Sequence, residues 1–371
     1  MGGLVAAARA RELGEHAVVF EKGDRAGGSM LLSSCVVWRY RTHELFRQEC
    51  PGGDPVLQKL VVERLDEGLT WLESLGAPVL TRETGNPLTL GTRFEPRGLT
   101  DALVRAAGDV RIATPLSDGE RPLVLATGGF QGDRDLVARH ITPQAEGLWL
   151  RANRWSTGDG LRHALELGAT PSTGLDEFYG RNLPAPPAEV TETSFVELAQ
   201  LYGRFALVVN ERGEEFAPRA VSWSETELVQ ATARQPGARA WYIVDRRALG
   251  EQVRGRSVGE MVGAARRAGG AVHQADRLGD LALALDVPGF PTSPHLLEPP
   301  FTAVHVAAGI THTIGGLRID ERARVLRADG EPIEGLVACG ADVGGISTGG
   351  YASGLAAALV FGRIAAEELL S

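Results

Sequence analysis

The residues with the clearest potential for chemistry stand near the start of the chain. Gly2 and Gly3 open an alanine-rich apolar stretch that ends at Gly14, and a short run of β-branched and aromatic residues then leads to Glu21. Glycines at the first turn of a helix let a phosphate approach free backbone N–H groups, and an acid at the end of the next strand accepts hydrogen bonds from a ribose. This spacing predicts the second half of a dinucleotide-binding βαβ unit.

Further segments resemble the motifs of one flavoprotein family. Residues 21–29, EKGDRAGGS, are similar to the E-K-x-x-x-x-G-G-S stretch that follows its second strand, and residues 124–130, VLATGGF, resemble its A-T-G-G turn. Residues 313–320 and 335–340 resemble the return of the chain to the FAD domain. In this order, the motifs identify the sequence as a member of the fumarate reductase and succinate dehydrogenase flavoprotein superfamily, which includes 3-ketosteroid Δ1-dehydrogenases and tricarballylate dehydrogenases.

The resemblance implies an α/β fold, in which a Rossmann-like FAD-binding domain lacks its first strand and contains an inserted α+β capping domain. We expect the FAD-binding domain at 1–131 and 309–371, and the capping or substrate domain at 132–308. The resemblance also implies non-covalently bound FAD as the cofactor. The implied reaction is hydride transfer at flavin N5 to or from a C–C bond next to a carboxylate or carbonyl.

Apolar periodicity and glycine positions predict the elements around these motifs. Helices are expected near residues 3–13, 57–75, 99–107, 133–140, 159–167, 224–234 and 257–268, and from 354 to the end of the chain. Strands are expected near 17–20, 123–126, 205–209 and 240–244, with a hairpin turn at 328–331.

The resemblance assigns cofactor contacts to a set of small and polar residues. They are Gly2, Gly3, Glu21, Lys22, Gly27, Gly28, Ser29, Ala126, Thr127, Gly128, Gly129, Asp342, Ser353, Gly354 and Leu355. In the family, the last helix points its amino terminus at the flavin, where its partial positive charge stabilises the anionic reduced ring. One departure is visible, because the acid that often follows the last strand directly is replaced by Ala341, with Asp342 one residue later.

The resemblance also suggests substrate residues. His312 lies in a segment similar to x-x-H-T-x-G-G, whose histidine binds a substrate carboxylate or carbonyl. Arg181 and Tyr179 fall where fumarate reductases have a substrate-binding histidine, and an arginine there could hold a carboxylate with two hydrogen bonds. Arg219 follows a segment similar to E-R-F-x-N-E, and Tyr351 replaces a carboxylate-binding arginine. A purely structural role remains open for each of these side chains.

The substrate and the proton donor are left open by these residues. Trp223 aligns with the proton-donating arginine of fumarate reductases, which argues against true fumarate reduction. Arg181 with His312 favours a carboxylate, whereas Trp223, Tyr179 and Tyr351 suit a flat cyclic enone equally well. No haem or iron–sulfur motif indicates the electron acceptor.

Composition excludes several other classes of protein. The 371-residue chain has a formal net charge of -9, which argues against nucleic acid as a partner. Its three cysteines lack C-x-x-C spacing, which fits a reducing, cytoplasmic location and no metal site. The most apolar stretch, 354–370, contains Arg363, Glu367 and Glu368, so we expect a buried helix there and no membrane span.

The cofactor fingerprint is incomplete. Its first strand and first glycines are missing, and only residues 109–122 remain where the family usually inserts a strand and a β-meander. The first strand normally lies between the second strand and the A-T-G-G strand, so its loss would leave both without their shared neighbour. One hypothesis is an FAD-dependent dehydrogenase or reductase whose start codon has been placed too late. The alternative is a truncated, catalytically inactive remnant or binding protein of the same family.

Overall fold

The structure is a computed structural model that describes residues 1–115, 121–217 and 221–371. The chain forms two compact units, the first made of Met1–Leu136, Ala152–Phe178 and His312–Ser371, and the second of Val137–Arg151 and Tyr179–Thr311. The domain limits given above stay a prediction. They differ from these units chiefly in residues 152–178, which group with the first unit.

The described residues contain helices α1 Gly2–Glu12, α2 His43–Glu49, α3 Pro55–Ser74, α4 Pro96–Ala107, α5 Arg134–His140, α6 Asp159–Glu166, α7 Thr226–Ala233, α8 Val258–Arg267, α9 Leu278–Ala284 and α10 Gly354–Leu369. The strands are β1 Val18–Glu21, β2 Val36–Tyr40, β3 Val79–Thr81, β4 Thr89–Phe94, β5 Asp109–Ile112, β6 Leu123–Leu125, β7 Trp149–Leu150, β8 Phe178–Pro184, β9 Leu207–Val209, β10 Arg239–Val244, β11 Gln252–Val253, β12 Arg256–Ser257, β13 Val272–Ala275, β14 Phe301–Thr313, β15 Arg324–Leu326 and β16 Pro332–Ala338. Every helix and strand predicted from periodicity is present, with ends shifted by a few residues. None of the described helices is both long and apolar enough to cross a membrane.

The described part of the first unit contains three small sheets. Strands β1 and β5 form a parallel pair, β15, β16 and β6 form a second sheet in which β16 and β6 are parallel, and β2, β4 and β3 form an antiparallel third. Among the described residues, β1 pairs only with β5 and β6 pairs only with β16. The parallel sheet is therefore interrupted between β1 and β6, where the missing first strand was predicted to leave a gap.

Small residues hold the helices of the first unit close together. A side chain at Gly362 of α10 would lie 2.8 Å from the carbonyl oxygen of Gly2, and one at Gly68 of α3 would lie 3.0 Å from Leu359 of α10. Ala6 and Ala10 of α1 pack with Ala366 of α10 in one apolar cluster. Glycine and alanine thus let α1 and α3 approach α10, and this packing sets the direction of the amino end of α10.

The second unit is built on one larger sheet of six strands. Its strand order is β13-β14-β10-β9, and β7 and β8 also pair with β14. Strand β14 is 13 residues long and its first ten residues are all buried. Leu207, Ile243 and Ala303 from three neighbouring strands lie in one apolar cluster with α9. Because β14 is covered along most of its length, it forms the centre of this unit.

Candidate active site

The amino end of α10 lies directly beside His312. Ser353 caps this helix, since its hydroxyl oxygen accepts a hydrogen bond of 3.3 Å from the N–H of Ala356. A side chain at Gly354 would lie 3.3 Å from Cε1 and 3.4 Å from Nε2 of His312. Glycine at this position leaves the half-buried imidazole unstrained over the first turn, where the helix carries partial positive charge.

Tyr351 lies beside this histidine, and two further aromatic side chains contact Tyr351. The ring centroid of Tyr351 is 6.5 Å from that of His312, and the edge of Trp38 meets the Tyr351 ring at 5.5 Å. The hydroxyl of Tyr40 donates a hydrogen bond of 2.8 Å to the backbone oxygen of Tyr351. Trp38 and Tyr40 are two residues apart on β2 and so project from the same face. The structure therefore brings together two predicted substrate residues, His312 and Tyr351.

The loop before Tyr351 is held by Asp54, which caps α3, and by Gln58 in the first turns of α3. The N–H of Asp54 donates to the oxygen of Gly345 at 2.7 Å, and the buried amide of Gln58 donates to the oxygen of Ile346 at 2.9 Å. Burial raises the pKa of the neighbouring Cys50 thiol to about 12, so this cysteine stays protonated and acts in packing. These contacts give Tyr351 a defined backbone position.

The A-T-G-G turn surrounds the buried carboxylate of Asp342. Its oxygens accept hydrogen bonds from the hydroxyl of Thr127 at 2.8 Å, from the N–H of Gly128 at 3.1 Å and from the N–H of Thr127. Burial raises the pKa of Asp342, and these hydrogen bonds oppose that rise. The N–H of Gly160 also donates to the Thr127 hydroxyl at 3.0 Å. Three predicted cofactor residues, Thr127, Gly128 and Asp342, therefore lie together. The Asp342 carboxylate accepts these hydrogen bonds from the protein itself.

Glu21 and Lys22, at the carboxyl end of β1, have different hydrogen-bond partners. Oε1 of Glu21 accepts a hydrogen bond of 2.7 Å from the N–H of Gly23, which orients the carboxylate. The ammonium of Lys22 donates to Thr157 at 2.6 Å and to Asp159 at 2.5 Å. Burial tends to raise the pKa of Asp159, but Lys22, Thr157 and Arg162 together outweigh it, and the pKa lies below its ordinary value. The Lys22 ammonium is therefore bound by side chains of the protein itself.

The glycine turn before Ser29 is joined to the A-T-G-G turn. Gly27 and Gly28 have φ angles of 104° and 54°, which favour glycine. The Ser29 hydroxyl accepts a hydrogen bond of 2.8 Å from the Asn153 amide, which also donates to Ser156 at 3.0 Å. A side chain at Gly128 would lie 2.7 Å from the Ser156 hydroxyl oxygen.

Residues 153–159 were missed as site residues by the sequence reasoning. The signal that could have found them is the run Ser156-Thr157-Gly158-Asp159 directly before α6, because polar residues and glycines at a helix start are typical of binding loops.

Gly2 and Gly3 have a packing role in the structure. A side chain at Gly2 would lie 2.7 Å from the sulfur of Cys339, and one at Gly3 would lie 3.2 Å from Ala126. Glycine at both positions lets α1 pack onto the ends of β16 and β6. Their approach to a pyrophosphate stays a prediction, as do the contacts of Leu355 and Ala126 with the cofactor.

The remaining predicted substrate residues belong to the second unit. Arg181 is only 2 % exposed, and its guanidinium donates to the oxygens of Ser224 and Gly180 and lies 4.7 Å from the centre of the Tyr179 ring. Burial raises the pKa of Glu225 to about 7, and the charge of Arg181 opposes this. Arg219 lies outside the described residues. The role of Arg181 and Tyr179 in substrate binding stays a prediction.

The first unit has polar groups that fit FAD. Thr313 Oγ1 and Gln131 Oε1 are buried and have no hydrogen-bond partner in the part of the chain that the structure describes. They lie 2.6 Å and 2.9 Å from the position that a side chain at Gly129 would occupy. Buried oxygens of this kind beside a glycine turn are typical of a site completed by a polar ligand. With Glu21 and the amino end of α10, they match the polar chain and the ring system of FAD.

Comparison with known proteins agrees with this assignment. The profile of the FAD binding domain family matches residues 117–355. The chain is 26% identical to the probable fumarate reductase Ifc3 of Shewanella frigidimarina over 441 aligned residues, which cover 99% of this chain and 72% of that protein. The aligned region is longer than this chain, so that relative contains segments without a counterpart here.

Two further relatives represent the steroid-oxidising enzymes. The chain is 24% identical to 3-oxosteroid 1-dehydrogenase of Mycobacterium tuberculosis, with 77% of this chain and 60% of that protein covered. It therefore spans less than two thirds of that relative. The structure of 3-ketosteroid delta1-dehydrogenase from Sterolibacterium denitrificans in complex with 1,4-androstadiene-3,17-dione has a similar fold, with a TM-score of 0.76, 18% identity and coverage of 99% and 97% of the two chains. The chain belongs to the FAD binding domain family, within the superfamily of FAD-dependent oxidoreductases that contains fumarate reductases and 3-oxosteroid 1-dehydrogenases, and its cofactor is FAD.

Proposed function

We propose that this chain is an FAD-dependent oxidoreductase that adds or removes hydrogen across a C–C bond next to the carbonyl group of a cyclic enone. The observation that supports the proposal is the position of His312 over the first turn of α10, with the Tyr351 ring 6.5 Å away. An imidazole N–H and a phenol O–H are both donors that can bind one carbonyl oxygen.

The protein groups stabilise negative charge on that oxygen. When bound, FAD supplies the acceptor or donor of hydride. Removal of a proton beside a carbonyl places charge on the oxygen, where donors of His312 and Tyr351 and the positive end of α10 would lower its energy. Removal of hydrogen would also require a separate electron acceptor, and addition of hydrogen a separate electron donor, because two electrons are transferred with each hydride.

A carbonyl suits these residues better than a dicarboxylate. The Tyr351 ring lies 6.5 Å from that of His312 and packs against Trp38, and this pair of uncharged aromatic side chains suits a flat apolar ring. Arg181, which could have bound a carboxylate, is buried and donates to backbone oxygens of its own unit. The relatives include both fumarate reductases and 3-oxosteroid 1-dehydrogenases, so the choice rests on the residues of the site.

The first test is whether FAD stays with the protein. We would purify the chain with FAD and record the visible absorption spectrum after gel filtration. A retained flavin band, followed by turnover of a cyclic 3-ketosteroid and no turnover of fumarate, is the expected result. Turnover of fumarate alone would contradict the choice of a carbonyl substrate.

Single substitutions then test the residues. His312→Ala should lower turnover roughly 100-fold or more and leave the flavin spectrum intact, since loss of one such donor has about this effect. His43→Ala is the control, because His43 is only half-buried and its ring contacts the backbone oxygen of Pro55. Unchanged turnover in His312→Ala would remove this histidine from the site.

A second candidate is a binding protein without catalysis. It is favoured by the interruption of the parallel sheet between β1 and β6 among the described residues. It predicts folded protein that loses FAD on gel filtration. That outcome would contradict the oxidoreductase proposal for this chain.

A further inference from the structure

Glu177 contacts the segments that carry both donors of the proposed site. It stands directly before β8 and belongs to the first unit, as do His312 and Tyr351. The backbone oxygen of Glu177 accepts a hydrogen bond of 3.0 Å from the N–H of Ile314, two residues after His312. Its side-chain Oε2 accepts one of 2.8 Å from the N–H of Gly349, two residues before Tyr351. One residue therefore joins the segment of His312 to the segment of Tyr351.

The connection on the His312 side is made through the backbone. Strand β14 ends one residue before Ile314, so the N–H of Ile314 is the first donor after the strand. At the next residue, a side chain on Gly315 would overlap the backbone nitrogen of Leu175, two residues before Glu177. Backbone packing therefore fixes the position of Glu177 relative to the end of β14.

The connection on the Tyr351 side is made through the carboxylate. Gly349 is exposed and has a φ angle of 81°, which favours glycine. A side chain on Gly350 would overlap the backbone oxygen of Glu49, so the loop lies against the end of α2. A carboxylate forms a shorter and stronger hydrogen bond with an N–H than a neutral acceptor does. The bond from Glu177 therefore restrains a pair of glycines that has large conformational freedom.

We propose that Glu177 is a positioning residue that sets the distance between the donors of His312 and Tyr351. The inference rests on the proposed function, in which these two side chains bind one carbonyl oxygen. Their ring centroids are 6.5 Å apart, and both donors must reach the same atom. A displacement of about 1 Å in such an arrangement can lower a rate by up to roughly 100-fold. Loss of the Glu177 carboxylate would allow this displacement, because two glycines precede Tyr351 directly.

The first test observes His312 by NMR in the whole chain without substrate. With the histidines labelled at Cε1, the signal of His312 is identified by its absence in His312→Gln. The Tyr351 ring, 6.5 Å away, contributes a ring current to this signal, so Glu177→Ala should shift it. Glu177→Gln keeps a side-chain oxygen that can accept from the N–H of Gly349 and should restore the signal.

The second test measures turnover of a cyclic 3-ketosteroid by the flavin-loaded chain. Glu177→Ala should lower kcat about tenfold and leave KM within about twofold, because both donors act on charge that develops in the transition state. Glu177→Gln should recover most of kcat. Asp176→Ala is the matched control, since it removes the neighbouring, exposed carboxylate and should change neither kcat nor the His312 signal. Circular dichroism would verify that each variant is folded.

The outcomes separate this proposal from the proposed function. A His312 signal that responds to Glu177→Ala, in a chain that turns over no substrate, would contradict the oxidoreductase and support the link between the two segments. An unchanged signal or an unchanged kcat in Glu177→Ala, in a chain that turns over the steroid, would overturn the positioning role alone. An equal loss in Glu177→Gln or in Asp176→Ala would overturn it as well, because the effect would then not depend on the bond to Gly349.

Discussion

Each of the two units is stabilised internally by a different kind of interaction. In the second, the 13-residue strand β14 pairs with four other strands, β13, β10, β7 and β8, and the sheet is continuous. In the first, the parallel strands lie in separate sheets of two and three strands, and helices α1, α3 and α10 pack closely. Backbone pairing therefore dominates in one unit and helix packing in the other. The candidate site at the amino end of α10 depends on the second kind of interaction.

Hydrogen exchange should show the largest difference between the units. Amides at the centre of β14 and β10 should exchange only on global unfolding, because both strands are paired on two sides. Amides of β1 and β6 should exchange at least ~100-fold faster, since each strand has one unpaired edge among the described residues. The measurement is native-state exchange read by mass spectrometry. Equal protection of the four strands would contradict the comparison.

Substitution of a buried side chain of α10 by alanine tests the role of helix packing. Phe361 is fully buried, and Phe361→Ala should lower the free energy of unfolding of the first unit by about 3–5 kcal/mol and weaken FAD retention. Phe20→Ala is the control, because this side chain is 51% exposed and its removal should change stability by about 0.5 kcal/mol or less. Chemical denaturation followed by circular dichroism gives both values. A small effect of Phe361→Ala would argue against helix packing as the dominant contribution.

The buried Glu225 predicts a pH dependence confined to the second unit. Burial raises its pKa to about 7 from an ordinary value of 4.5, so the folded state binds the proton more tightly than the unfolded state. The resulting stabilisation is complete below pH 4.5, and up to about 3 kcal/mol is lost as the pH rises through 7.

Glu225→Gln should therefore flatten the change in stability over this range and raise the stability of the second unit at pH ~8. Denaturation at several pH values checks this, with the exposed Glu251→Gln as control. A dependence that survives in Glu225→Gln would assign it to other groups.

A smaller effect is expected where Tyr40 holds Tyr351. Burial raises the pKa of the Tyr40 hydroxyl, so it remains a donor to the backbone oxygen of Tyr351. Tyr40→Phe should lower the free energy of unfolding by about 1 kcal/mol, as expected for the loss of one hydrogen bond. It should raise the free energy of activation for turnover by more than this amount. Thermal unfolding and turnover of the flavin-loaded chain are the two measurements. Turnover equal to that of the unaltered chain would show that Tyr351 keeps its position without this bond.

Local patterns predicted many elements of both units. The stretch that ends at Gly14 is α1, the apolar face of 57–75 is α3, and the stretch after Ser353 is α10. In contrast, β14 runs through the limit predicted at residue 308, because a continuous apolar run does not distinguish a buried strand from a loop between domains. Periodicity reports on one element at a time, and β14 is stabilised by four partners distant in sequence.

The amino-acid sequence by itself determined the family, the cofactor and the positions of the glycine turns, because these depend on residue types at short, fixed spacings. Only the tertiary structure decided which partners the polar side chains have. In the structure Lys22 donates a hydrogen bond to Asp159, and Arg181 donates one to the backbone oxygen of Ser224. Trp155 and Glu21 lie close to each other beside Gly23. Such pairs join residues tens to more than a hundred positions apart, so they follow from the packing of whole elements and from no local pattern.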